Sequence, residues 1–132
     1  MASALAKITS RQPASFGYGP HATRLLAELQ GAIHARLWAV VIILSASLID
    51  IIRHEEQIFD LSDDDDSYLG DGLDYLSAAE RKKLDWLRHT RNHLVHYEGP
   101  VEGMMGRDND DAQLAQMADR AVAALIIMIE AD

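Results

Sequence analysis

Hydrophobic residues fall in three long helical patterns separated by polar or glycine-rich breaks. From His21 onward, Leu25, Leu26, Leu29, Ile33, Leu37, Val40, Val41, Leu44, Leu48, Ile49 and Ile52 recur at three- and four-residue spacings, the period of a helix with one apolar face. Gly31 interrupts this pattern: it either divides the helix or is tolerated within one long helix at a cost of about 1 kcal/mol relative to alanine, and a break or bend is the favoured expectation. Between Arg36 and Asp50 the thirteen residues Leu37 to Ile49 carry no charge. That run is shorter than the roughly 20 residues needed to cross a bilayer, so it predicts the central helix of a bundle, covered by neighbours on most sides. Ala39, Ser45, Ala46 and Ser47 are small enough to let those neighbours approach closely.

A second pattern begins at Ser77-Ala78-Ala79-Glu80, where hydroxyl and carboxylate fit a capping box. It runs to about Glu98 and stops at Gly99-Pro100. The third follows Asp108 or Asn109, either of which suits a helix cap, and Asp110 and Asp111 complement its positive N-terminus. Leu114, Met117, Ala118, Ala121, Val122, Leu125, Met128 and Ile129 give this last helix a continuous apolar face.

The intervening stretches read differently. Residues 1–20 hold Pro13, Gly17, Gly19 and Pro20 without sustained periodicity, which predicts a flexible N-terminal arm ahead of a single helical domain over 21–132. The arm lacks the long apolar core of a signal peptide. Leu61 to Tyr75 includes Asp63 through Asp66, Gly70, Asp71, Gly72 and Asp74. It fails the alternating ligand spacing of a calcium-binding EF-hand, so it reads as a solvated acidic loop. Between Pro100 and Arg107 a glycine-containing loop is expected, with Met104 and Met105 covering a hydrophobic edge. The patterns together define an all-α protein, a four- to five-helix bundle of largely up-and-down topology. Its expected core includes Leu37, Val41, Leu44, Leu48, Leu84, Leu87, Leu94, Leu114, Val122 and Leu125.

Composition narrows the function classes. The 132 residues contain no cysteine, so disulfide and thiolate chemistry are absent and a cytoplasmic setting is expected. Twelve basic against twenty-one acidic residues leave a net charge of −9, which argues against broad, nonspecific nucleic-acid binding. A local basic patch is another matter. Arg81, Lys82, Lys83, Arg88 and Arg91 place five of the twelve positive charges on the second helix.

The chemistry concentrates at the end of that helix, in Leu87-Arg88-His89-Thr90-Arg91-Asn92-His93-Leu94-Val95-His96-Tyr97. At about 100° per residue Leu84, Leu87, Leu94 and Val95 share one arc, and Arg91 lies near its middle. A guanidinium directed inward requires carboxylates, carbonyls, water or an anionic ligand to offset a desolvation penalty of several kcal/mol. Asp50, which ends the uncharged run, is a candidate counter-ion. His89, His93 and His96 fall within about 60° of one another on a different face, with Asn92 beside them. Arg91 and His96 are about 140° apart on an ideal helix, so they meet only across a groove or where the helix loosens.

Arg91-Asn92-His93-Leu94-Val95-His96 resembles the R-x4-H motif of HEPN domains, and the architecture extends the likeness over roughly Ala22 to Ile129. The resemblance implies a HEPN-like bundle and a metal-independent endoribonuclease. His96 would be the general acid or base at a ribose 2′-hydroxyl or the leaving 5′-oxygen, Arg91 would bind the scissile phosphate, and Asn92 would orient either group. Arg88, His93 and Tyr97 become candidate RNA contacts. No cofactor is implied. A homodimer with facing motifs is expected, and a protein partner such as an antitoxin is a further partner class. In the branch that partners nucleotidyltransferase antitoxins a tyrosine stands two residues after the motif histidine, whereas here Tyr97 follows directly and Glu98 occupies that place.

Two competing readings stand beside this one. A noncatalytic helical dimer would bind a protein or small ligand and keep the motif as a polar cluster, with Trp86 packed on a neighbour instead of stacking on a base. A metal site would use His89, His93 and His96, which would have to converge from one helix on a single ion. No membrane association is expected.

Overall fold

The computed structural model describes residues 3–56 and 76–130, and the acidic stretch from Leu61 to Tyr75 lies outside them. Five α-helices follow in order: α1 Ala4–Thr9, α2 Gly19–His34, α3 Trp38–Glu56, α4 Ala78–His96 and α5 Asp110–Glu130, with a 3-10 turn over Pro13–Ser15. No strand occurs among the described residues. The protein is an all-α helical bundle.

The central pair is α3 and α5. α2 and α4 pack on α3, while α1 and α4 pack on α5. Val41, Ile42, Ala46, Leu48, Ile49 and Ile52 of α3 are fully buried, as are Ala118, Ala121, Val122, Ala124, Leu125 and Met128 of α5. Among the fully buried residues of the two helices, Ala46, Ala118, Ala121 and Ala124 are small enough to let neighbouring helices approach closely. By length and composition α5 alone among the described helices is apolar enough to cross a membrane. Seven of its residues are buried, and it packs on α1, α3 and α4.

The capping box at α4 is present on both sides. Glu80 N donates to Ser77 Oγ at 3.1 Å and Ser77 N donates to Glu80 Oε1 at 2.9 Å, so two backbone groups at the helix start are satisfied reciprocally. Leu84 and Leu87 then turn into the core.

Three expectations need correction. First, α2 runs through Gly31, and the break comes at Ala35 to Leu37. There Leu37 N donates to Ala32 O and Arg36 N to Ile33 O, the hydrogen-bond pair of a Schellman motif, with Arg36 at φ 58° in the left-handed position that glycine usually holds. The turn leaves Leu37 52% exposed, so it is not a core residue, and Val40 is exposed with it. Leu44, Leu94 and Leu114 are only partly buried. Second, the N-terminal segment is built into the fold. Ser3 caps α1, and Ile8 and Phe16 are buried. Leu5 N donates to Asp119 Oδ1 at 3.2 Å, and Gln30 Nε2 donates to the carbonyls of Ile8 and Arg11. Third, Met104 and Met105 are exposed instead of covering an edge.

Candidate functional site

α4 positions every motif residue, and it remains α-helical through His96. No loosening brings Arg91 and His96 to one side, so the separation of about 140° stands within one chain. Arg91 turns toward α3, where its Nη1 lies 3.9 Å from Asp50 Oδ2. That distance is an ion pair and too long for a hydrogen bond. The Arg91 side chain is 27% exposed, and its Nε is enclosed with no hydrogen-bond acceptor among the described residues. A guanidinium held in this way retains capacity for an anion.

Because Asp50 is 46% exposed, solvent screens the pair and the coupling is weak. A double-mutant cycle with Asp50→Asn and Arg91→Gln should return less than about 1 kcal/mol in urea unfolding. A coupling of several kcal/mol would mean that Asp50 fully neutralises Arg91.

His96 is the last residue of α4 and is exposed. Tyr97 follows in the left-handed conformation, φ 47°, which ends the helix, and the residue is 77% exposed. Val95 is 51% exposed, so His96 lies between two apolar side chains open to solvent. Asn92 and Arg88 are half-buried on α4. Arg88 is engaged by other groups.

The three histidines do not converge. His89 Nε2 lies 3.3 Å from Asp85 Oδ2, and His93 Nε2 lies 3.6 Å from Glu98 Oε2. Among the described residues no three metal-ligating side chains come together. The arrangement lends no support to a shared metal site, since His89 and His93 are each directed to a local carboxylate of their own.

One feature escaped the sequence patterns. The Arg120 guanidinium of α5 lies over the Trp86 ring, 3.9 Å from its centroid. Beside it, α4, α5 and the loop after α4 line two adjoining open hollows that share Glu102 and Met117. Arg120 is the single basic residue after Arg107, and that isolation was the available signal. Compared with family models, curated proteins and solved structures, the chain matches none.

Proposed function

We propose that this chain is a HEPN-like, metal-independent endoribonuclease that works as a homodimer. The observation that carries the reading is Arg91, a partly exposed guanidinium on the motif helix whose ion-pair partner Asp50 stands at 3.9 Å, beyond hydrogen-bond distance, so that its accessible N–H groups remain open to an anion. A phosphate offers the oxygens that such a group lacks. His96, exposed at the helix end, supplies the acid-base group. It removes the proton from a ribose 2′-hydroxyl, the 2′-oxygen bonds to the adjacent phosphorus, and the P–O5′ bond breaks. The products are a 2′,3′-cyclic phosphate and a 5′-hydroxyl, the latter taking a proton from a histidine. Arg91 stabilises the charge developing on the phosphate, and Asn92 orients it by hydrogen bonding.

Because Arg91 and His96 diverge on one helix, the reading places His96 of one subunit against Arg91 of the other. The exposed Val95 and Tyr97 flanking His96 suit burial at a subunit contact. Those same side chains favour the second reading, a noncatalytic helical dimer. The reading also keeps the protein in the cytoplasm and off the membrane.

The test is cleavage of single-stranded RNA beside DNA of the same sequence, both in EDTA. The endoribonuclease reading expects RNA fragments with 2′,3′-cyclic phosphate ends and intact DNA, since DNA lacks the nucleophile. Fragments with 3′-hydroxyl ends, or uncut RNA, would favour the second reading or another chemistry.

A further inference from the structure

A groove lies on the other side of α4. His93, on its rim, is about 160° round the helix from Arg91. The two hollows have volumes of about 240 and 360 Å³, the larger within the size range of small-ligand sites. Gln113, Gln116, Met117 and Arg120 supply one face of the larger hollow from α5, and Glu102 supplies the facing wall from the loop.

That wall is fixed in place. Gly103 has φ 88°, and a Cβ there would stand 2.7 Å from Leu114 Cγ, so only glycine lets the loop lie this close to α5. Farther along, Gly106 N and Arg107 N donate to Asp110 Oδ2 at 2.8 and 3.1 Å. The loop is thus tied to the start of α5 on both sides of its tip.

We propose that this groove binds a guanine base. The central carbon of the Arg120 guanidinium lies 3.9 Å from the Trp86 ring centroid, and Arg120 is itself exposed and lines the hollow. A planar base can stack on its outer face, the arrangement by which arginine planes hold unpaired bases. Met117 gives an apolar floor. At the rim, a carboxylate accepts hydrogen bonds and donates none, whereas a carboxamide does both. Guanine presents two neighbouring N–H donors, N1–H and the 2-amino group, beside the O6 acceptor. Glu102 answers the two donors, and a side-chain N–H of Gln113 or Gln116 answers O6. Adenine and cytosine place an amino group next to an acceptor nitrogen, and uracil places one N–H between two carbonyls. Each of these would set a carboxylate oxygen against an acceptor.

The base can belong to a free nucleotide or to an RNA strand, and the binding does not depend on cleavage. The test is a titration of the ¹⁵N-labelled full chain, following the side-chain N–H resonances of Trp86, Gln113 and Gln116. The probes are GMP, IMP, AMP, and short oligouridine strands carrying one central guanosine or adenosine. GMP should move these resonances, and IMP, which lacks the 2-amino group, should bind roughly tenfold more weakly. Glu102→Gln should erase the preference for GMP over IMP, while Arg91→Ala and His96→Ala should leave it unchanged. Movement with the guanosine strand but not with GMP would assign the base to RNA and support the site equally. The proposal is overturned if neither guanine probe moves these resonances, if guanine and adenine probes act alike, or if Glu102→Gln keeps the preference.

Discussion

Replacing Ile8 by alanine should lower the free energy of unfolding by about 2–5 kcal/mol, the usual cost of truncating a fully buried aliphatic side chain. Ile8 is 1% exposed, although it belongs to a six-residue helix that could not persist alone in water. α1 is held by tertiary contacts instead: it packs on α5 and α2, and Gln30 and Asp119 satisfy backbone groups within or beside it. A loss of this size is a large share of the roughly 5–15 kcal/mol that keeps a domain folded. Urea unfolding followed by circular dichroism measures it. An unchanged midpoint would mean that residues 3–16 do not contribute to the fold.

The largest effect on activity is expected at the motif. Under the proposed mechanism His96→Ala removes the acid-base group and should slow RNA cleavage by about 10²–10⁴-fold. Arg91→Ala removes charge stabilisation at the phosphate and should cost about 10²–10³-fold. His89→Ala should remain near wild type, since His89 is exposed and directed at Asp85. If the site is shared between subunits, mixing the two inactive variants restores cleavage. An Arg91→Ala chain still brings His96 and a His96→Ala chain still brings Arg91, so one site per mixed dimer is intact. With random pairing about a quarter of the wild-type sites return. A mixture as inactive as its components would place both groups of a site on one chain.

Much of the bundle could be read in the residues because local and global signals agree there. The α4 start shows this best: Ser77 and Glu80 define a capping box by type and spacing, and the structure forms both of its hydrogen bonds. Leu84, Leu87, Val122 and Leu125 were placed in the core by the helical period and are fully buried. The failures have physical causes. Gly31 signals a helix end by propensity, but flanking Leu29, Ala32 and Ile33 pack on the core and carry the helix through it. The actual end is built on Arg36, a residue with no such signal, whose left-handed backbone costs roughly 1–2 kcal/mol. α1 was missed because six residues are too few to show a period.

For the site, the inward direction of Arg91 followed from helical geometry, and its approach to Asp50 from that residue's place as the acid ending the uncharged run. The divergence of His89 and His93 did not, because their partners Asp85 and Glu98 are chosen by side-chain rotamers. The groove beside Trp86 was invisible for a different reason. Its two walls come from separate segments, and only tertiary packing brings Glu102 to face Arg120.

The most direct measurement of the central claim is the rate of single-stranded RNA cleavage in EDTA by wild type, Arg91→Ala and His96→Ala, with equal helical content confirmed by circular dichroism. The account predicts cleavage by the wild type and its loss in both variants. Cleavage that survives both substitutions, or none by the wild type, would contradict it.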